Sequence, residues 1–333
     1  MTEKKKGRRL LLPVIVVVIA VIALLSVFSP YPASFLMRAL FNKPNITPPA
    51  HEEAVEGLVY VHNDITYPSL YSKNTVDIYL PEQTDGNSPV ILWAHGGAYV
   101  GGDKTDVKYY AAALAFQGYA VISMNYDLAP EGKYPGPLHQ IADVCKWLES
   151  VQEEYSIDTS RLFLAGDSAG AHMMVQFALI QTSQEYADLC GLTATIETEK
   201  IKGMLLYCGP YDAARLGETK GILGFMMKRA AWAYYGSPNW LEKYGDEISV
   251  VDHITKDFPP AFITDANTMS FPDHGEKLAD TLRQKQVPVE TYFMPAEEEK
   301  TIHEYQFIMN TPAGQECYKR TLEFLDGRVG DAR

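Results

Sequence analysis

The sequence predicts an α/β fold in which a mostly parallel central sheet is covered by helices on both faces. Short apolar runs of the buried-strand type alternate with longer segments of helical periodicity along most of the chain. A length of 333 residues is enough to bury the core of one large domain. Residues 212–254 interrupt the alternation with glycine-rich loops and a methionine- and aromatic-rich helix. This segment is either ordinary core or a small cap that faces substrate.

The apolar runs predict seven strands, because fully buried parallel strands show nearly continuous hydrophobicity. They are residues 76–80, 90–94, 120–124, 162–165, 204–207, 261–264 and 289–293. Helices are expected between the strands, where apolar residues recur every three or four positions. They are residues 109–117, 138–151, 169–182, 273–286 and 315–326. The first run alternates apolar and polar residues, which is typical of an edge strand.

The amino-terminal residues differ in composition from the rest of the chain. Residues 1–9 hold five basic side chains and one acidic one, and residues 10–28 form an apolar run with two interruptions. At about 1.5 Å per residue this run nearly spans a hydrocarbon core of about 30 Å. We therefore predict a cytoplasmic basic tail over 1–9, a single-pass transmembrane signal anchor over 10–28 and an extracytoplasmic catalytic domain.

A cleaved signal peptide, which would release a secreted protein, is the alternative for this segment. Its apolar stretch is usually only about 7–15 residues long and ends at a site flanked by small residues. The nearest candidate, residues 31–33, has tyrosine where a small residue is needed. The uncleaved anchor is therefore the favoured interpretation. The proline-rich residues 29–57 are interpreted as a linker with one short helix, followed by the folded domain over 58–333.

Charge and cysteine usage exclude some classes of function. The formal net charge is −13, and the basic tail contributes +4, so the remaining chain carries −17. An acidic body without a basic stripe argues against binding nucleic acid. The four cysteines lie at long spacings with no C-x-x-C pair, so the sequence offers no zinc-ribbon or dithiol redox motif and assigns no disulfide.

A serine nucleophile is predicted at the end of the fourth strand. Residues 166–170 read G-D-S-A-G and connect the strand at 162–165 directly to the helix at 169–182. In this context the motif is a nucleophile elbow, a sharp turn that exposes the serine hydroxyl. Gly166 and Gly170 leave room for that turn, and the helix N-terminus favours developing negative charge. Ser168 is the predicted nucleophile.

An independent motif lies 70 residues upstream. The strand at 90–94 runs into H-G-G-A at residues 95–98, followed by two more glycines. Acyl transfer places a negative charge on the former carbonyl oxygen, and backbone amides must point at it. Small residues let the backbone approach that closely. We assign the oxyanion hole to the amides of Gly97, Ala98 and Ala169.

These two motifs resemble the hormone-sensitive-lipase-like branch of the α/β-hydrolases, which carries H-G-G-[GA] upstream and G-D-S-A-G at the nucleophile. Residues 125–131 are similar to the family's Y-R-L-A-P-E segment, with Asp127 in place of the usual arginine. The resemblance extends from about residue 75 to residue 325. It implies an α/β-hydrolase domain with a small cap, acting as a serine carboxylesterase on small, short-acyl esters, without cofactor or metal.

The catalytic base is expected after the last core strand. Of the eight histidines only His303 has that position, and it resembles the His-x-aromatic segment of the family. It would take the Ser168 proton and return it to the leaving alcohol. His274 is a weaker candidate because it belongs to a flanking helix, and His95 is expected to shape the oxyanion loop.

The triad acid is where the sequence departs from the family. The family pattern has aspartate just before a D-x-G helix start, and alignment on residues 273–275 puts Met269 there. Methionine cannot orient an imidazole. The nearest carboxylate at the strand end is Asp265, which we predict as the acid. Asp212, after the preceding strand, is the alternative, and turn capping would explain either residue without catalysis.

Two other functions fit parts of the pattern. An amidase or peptidase could use the same triad, because its chemistry differs only in the leaving group. A catalytically inactive binding module is favoured by Met269 but opposed by Ser168, His303 and the oxyanion motif. The natural substrate, the acyl length and the oligomeric state are not determined by the sequence.

Overall fold

An eight-stranded sheet forms the centre of the part of the chain that the computed structural model describes, residues 13, 17–18, 20–22, 24–41, 59–82 and 87–329. The strands are β1 Val59–Thr66, β2 Thr75–Pro81, β3 Ser88–Ala94, β4 Ala120–Met124, β5 Ile157–Asp167, β6 Ile201–Tyr207, β7 Ala261–Asp265 and β8 Val289–Phe293. Their order across the sheet is β1-β2-β4-β3-β5-β6-β7-β8. Only β2 runs antiparallel to its neighbours, β1 and β4, so the predicted, mostly parallel sheet is confirmed.

Helices cover both faces of the sheet. They are α1 Tyr31–Phe41, α2 Lys108–Phe116, α3 Gly136–Tyr155, α4 Ala169–Thr182, α5 Gln184–Cys190, α6 Ala213–Glu218, α7 Gly221–Tyr235, α8 Trp240–Ile248, α9 Pro272–Gln284 and α10 Pro312–Val329. Successive residues of a strand point to opposite faces. In β3, Val90 and Leu92 therefore belong to the core on the face that α3, α4 and α9 cover, while Ile91 and Trp93 belong to the core on the face that α2 and α10 cover.

The edge of the sheet differs from the sequence prediction. The run at 76–80 was expected at an edge, but β1 pairs with it along its outer side and most of β2 is buried. β1 itself escapes prediction because none of its residues is buried and it therefore has no apolar run. The polar residue that gave β2 its alternating pattern, Asp77, is buried rather than solvated.

The helix α1 belongs to the folded body, although its residues were placed in the predicted linker. The Arg38 guanidinium donates hydrogen bonds to the carbonyl oxygens of Val100 (2.7 Å) and Ala129 (2.6 Å). It also forms an ion pair of 2.6 Å with Glu131. Met37 is buried against the domain core. The apolar pattern of these eleven residues gives no sign of the distant partners, so the sequence alone could not show that the helix packs against the domain.

The predicted basic tail at 1–9 and most of the linker lie outside the described residues, and the predicted anchor at 10–28 lies partly outside them. Within the residues that are described, no helix combines the length and apolar composition needed to cross a membrane. The anchor therefore stays a prediction.

A buried ion pair connects the segment after β3 to β1 and β2. The Lys104 ammonium lies 2.7 Å from Asp77 Oδ1 and 2.9 Å from Asp64 Oδ1, and its side chain is 4% exposed. The backbone of the same lysine accepts a hydrogen bond from Ser123 (2.8 Å) and donates one to Asn125 (2.9 Å). These contacts hold the chain that leaves the H-G-G-A motif against β2 and the end of β4.

We expect Lys104→Met to lower the free energy of unfolding by about 3–5 kcal/mol, because Asp77 would be left buried without its counter-ion. Urea denaturation at neutral pH measures the change. The matched control is Lys200→Met, which removes a half-exposed pair with Glu149 and should cost only about 0–1 kcal/mol. Equal losses in the two variants would contradict the importance of the buried pair.

Candidate active site

The turn between β5 and α4 is strained at Ser168, whose backbone angles are φ 50° and ψ −117°. A positive φ angle at a residue other than glycine costs free energy, and it persists only when the surrounding structure enforces it. A Cβ atom at Gly170 would lie 2.0 Å from the Ala94 carbonyl oxygen, and one at Gly166 would lie 2.5 Å from the backbone of Gly170. The two glycines of the motif are therefore required by the close contact between β3, β5 and α4.

His303 faces the serine from the loop after β8. Its Nε2 atom lies 3.0 Å from Ser168 Oγ, and the ring of Phe271 packs edge-on against the imidazole. Burial lowers the pKa of His303 below its ordinary value, and the nearby Asp265 carboxylate opposes that effect. A neutral imidazole at this distance can accept the serine proton.

Asp265 lies at the end of β7 and is buried. Within the described part of the chain it makes no direct hydrogen bond to His303. Instead, Ser270 hydrogen-bonds to Asp265 Oδ1, and the same hydroxyl oxygen lies 2.7 Å from His303 Nδ1. The structure thus brings Asp265, His303 and Ser168 together through a serine that the sequence analysis did not identify.

The other predicted candidates for base and acid are held elsewhere. Asp212 caps α6 and forms ion pairs with Lys277 (2.7 Å) and Arg215 (3.2 Å). His274 accepts the backbone N–H of Asp212 through Nδ1 at 3.1 Å. The side chain of Met269 is 76% exposed.

The H-G-G-A segment forms a tight loop beside the serine. The His95 ring is buried, stacks on Tyr126 and has its Nδ1 atom 2.7 Å from the Gly96 carbonyl oxygen, so it shapes the loop as expected. Gly97 and Ala98 have positive φ angles of 106° and 52°. Within the described chain, the amides of Gly97, Ala98 and Ala169 have no protein acceptor. All three residues line the same cavity as Ser168, where their amides could bind an oxyanion.

The cavity above the serine has a volume of about 360 Å³. Its wall is mostly apolar and comes from α1, from the cap helices α6 and α7, and from the loop after β8. The side chains that form it include Leu40, Phe41, Leu216, Met227, Tyr235 and Phe307. The segment at 212–254 is therefore a cap over the site, which was one of the two predicted alternatives.

A pair of carboxyl groups beside the predicted catalytic residues was missed by the sequence analysis. Asp167 accepts the N–H groups of Trp93 and Gly96, both at 2.7 Å. The Glu304 side chain hydrogen-bonds to it, and Glu304 Oε1 lies 3.6 Å from His303 Nε2. Burial and then the charge of Glu304 raise the pKa of Asp167, and burial raises the pKa of Glu304 to about 7. The pair therefore holds a proton near neutral pH.

Three potential metal ligands also meet in the site: among the described residues, single donor atoms of Cys208, Asp265 and His303 lie within 4.8 Å of one another. Burial raises the pKa of the Cys208 thiol well above its usual value, and a metal needs the thiolate. The His303 nitrogens face Ser168 and Ser270. This donor set therefore suits proton transfer better than metal binding.

The sheet order, the elbow after β5 and the histidine after β8 place the chain among the α/β-hydrolases. Comparison with known proteins supports its assignment as a carboxylesterase hydrolase. A family model described as BD-FAE matches residues 76–274, which is well over half of the chain, and the protein belongs to that family.

Individual relatives agree with this assignment. An acetyl esterase of Salmonella schwarzengrund (strain CVM19633) is 25% identical over 251 residues, covering 72% of this chain and 71% of the relative. The inhibited esterase B of Lactobacillus rhamnosis has a TM-score of 0.72 at 24% identity, covering 86% of this chain and 90% of that one. A bacterial heroin esterase has a TM-score of 0.66 at 22% identity, with coverages of 82% and 85%. The predicted fold and the predicted esterase class are confirmed.

The raised pKa of Glu304 predicts a pH dependence of stability. Its ordinary value is 4.5, so the folded state binds more protons than the unfolded state between about pH 4.5 and 7, and stability falls as the pH rises through that window. Glu304→Gln keeps a hydrogen-bond donor toward Asp167 but cannot ionise. The wild type should therefore lose stability between pH 4.5 and pH 8 through this group, and the variant should not. The variant's free energy of unfolding minus that of the wild type should increase by more than about 1 kcal/mol over this range.

Urea denaturation at the two pH values measures this difference. Glu276→Gln, at an exposed glutamate of α9, is the matched control and should follow the wild-type pH dependence. If the Glu304 and Glu276 variants behave alike, Glu304 is not protonated in the folded protein at neutral pH.

Proposed function

We propose that the protein hydrolyses short-acyl carboxylic esters through a covalent acyl-enzyme, with Ser168 as nucleophile, His303 as base and Asp265 as acid. The observation that carries the proposal is the 3.0 Å contact between Ser168 Oγ and His303 Nε2 at a strained elbow. A nucleophile and base within hydrogen-bonding distance, with the base held by a third group, are the signature of this chemistry.

The geometry supports the usual two-step reaction. As Ser168 Oγ attacks the ester carbonyl, His303 Nε2 takes the serine proton, and the amides of Gly97, Ala98 and Ala169 stabilise the tetrahedral oxyanion. Collapse of that intermediate breaks the bond to the leaving alcohol, which receives the proton from His303. Water then attacks the acyl-enzyme, again with His303 as base, and releases the acid and free Ser168.

The cavity favours a small apolar acyl group. Its volume of about 360 Å³ lies near the lower end of the range of about 300–1,000 Å³ for small-molecule sites. Among the described residues, the wall contains no lysine or arginine that could bind an acidic substrate. The names of the relatives point in the same direction: one is an acetyl esterase, and the structure of another, esterase B, contains a tributyrin phosphonate inhibitor.

We expect Ser168→Ala to lose ester hydrolysis by a factor on the order of 10⁶ in kcat, because triad members act as a unit. The measurement is hydrolysis of p-nitrophenyl esters from acetate to palmitate by the full-length chain, with a p-nitroanilide of matched acyl group as the amide control. Retention of a tenth of the wild-type rate would exclude Ser168 as nucleophile. A wild-type preference for the anilide or for palmitate would contradict the short-acyl esterase proposal.

We also propose that residues 10–28 hold the chain in a membrane, with the catalytic domain on the extracytoplasmic side. The support is the apolar run and the basic residues before it. The full-length protein should stay in the membrane fraction after washes in high salt and at pH 11, because apolar burial does not depend on charge. Recovery of a soluble form that begins near residue 34 would instead establish cleavage.

A further inference from the structure

The hydroxyl group of Ser270 lies between the predicted acid and the predicted base. Its oxygen is 2.7 Å from His303 Nδ1 and also hydrogen-bonds to Asp265 Oδ1. Oδ1 accepts the backbone N–H of Ala266 (2.7 Å) as well, while Oδ2 is buried and has no partner among the described residues. The carboxylate therefore reaches the imidazole only through this hydroxyl.

Only one direction of hydrogen bonding satisfies the three groups when Asp265 is ionised. A carboxylate only accepts, so the Ser270 hydroxyl must donate its single proton to Asp265. Its oxygen can then only accept from His303, which requires a proton on Nδ1. This tautomer leaves Nε2 free to accept the proton of Ser168, as general base catalysis requires.

The position of Ser270 is held by contacts between its own loop and the loop that carries His303. The Asn267 backbone N–H donates to Thr301 Oγ1 (3.0 Å), and the Thr301 N–H donates to Asn267 Oδ1 (3.1 Å). One residue further along each loop, Thr268 and Ile302 form a parallel β-bridge. These contacts set the distance between the two loops before either catalytic side chain is considered.

We propose that Ser270 is a positioning residue that transmits the hydrogen bond of Asp265 to His303, so that the base is oriented by a serine and a carboxylate in series. This inference rests on the proposed function. In each half-reaction the proton moves between Ser168 or water, His303 Nε2 and the leaving group. The protons on His303 Nδ1 and Ser270 stay on their atoms, so the relay needs no proton transfer to Asp265.

The first test is Ser270→Ala, measured by kcat, by KM and by the pH dependence of kcat/KM. Loss of the acid in comparable triads costs about 10⁴-fold in turnover, and we expect a fall of about 10²- to 10⁴-fold in kcat with little change in KM. The acidic limb of kcat/KM should move to lower pH, because the imidazolium loses the hydrogen bond that stabilises it. Ser270→Thr keeps the hydroxyl and should recover most of the activity.

A double-mutant cycle tests whether Ser270 and Asp265 act in series. Asp265→Asn alone should fall into the same range as Ser270→Ala. The double variant should then be no more than about threefold worse than the poorer single variant, whereas independent effects would multiply. Asp212→Asn, which removes a carboxylate held by Lys277, should fall less than about tenfold.

The matched control for the serine is Ser160→Ala, because Ser160 also donates to an aspartate, Asp158, but at the exposed start of β5. It should leave kcat unchanged. If Ser270→Ala is unstable in thermal denaturation, Ser270→Cys, whose thiol is a weak hydrogen-bonding group, gives the same kinetic readouts.

Three results would overturn the relay. They are a kcat of Ser270→Ala within about threefold of wild type, an unmoved acidic limb, and multiplicative losses in the double variant. Failure of the proposed function would look different, since the wild type would then hydrolyse no ester or Ser168→Ala would remain active.

Discussion

The carboxyl group of Asp167 contacts three separate segments of the site. It accepts the indole N–H of Trp93 inside β3 and the amide N–H of Gly96 in the oxyanion loop, and it hydrogen-bonds to Glu304 beside the base. Because Ser168 is the next residue, contacts that fix Asp167 also help to fix the backbone that carries the predicted nucleophile. The relative positions of serine, oxyanion loop and base therefore depend on one buried group, whose burial cost is met by these donors.

Much of this arrangement could be predicted from the sequence, because it rests on local patterns. Apolar runs gave every strand except β1, and the glycines at 166 and 170 predicted a strained turn whose steric cause the structure now supplies. The position of His303 followed from the order of strands. What escaped prediction were contacts between residues far apart in sequence, such as Ser270 with His303, which no periodicity or motif records.

The predicted acid lies at a different position from the aspartate of the family pattern. The family position is occupied by Met269, which is mostly exposed and lines the cavity, and a carboxylate lies four residues earlier at the end of β7. From there Asp265 is too far from the imidazole for a direct hydrogen bond, and a serine hydroxyl occupies the intervening space. The loop after β7 is joined to the loop that carries His303 by the hydrogen bonds between Asn267 and Thr301. These bonds hold the backbone of the loop in place although its carboxylate lies at a different position.

The helix α1 has a practical consequence for anyone who studies the enzyme in solution. Leu40 and Phe41 form part of the cavity wall, and Arg38 holds them there through Val100 and Ala129. A shortened chain that starts at β1 would keep every proposed catalytic group and still present an open cleft. Its preference among acyl chains would then not be that of the full-length enzyme. The residue at which a shortened chain begins therefore determines which specificity is measured.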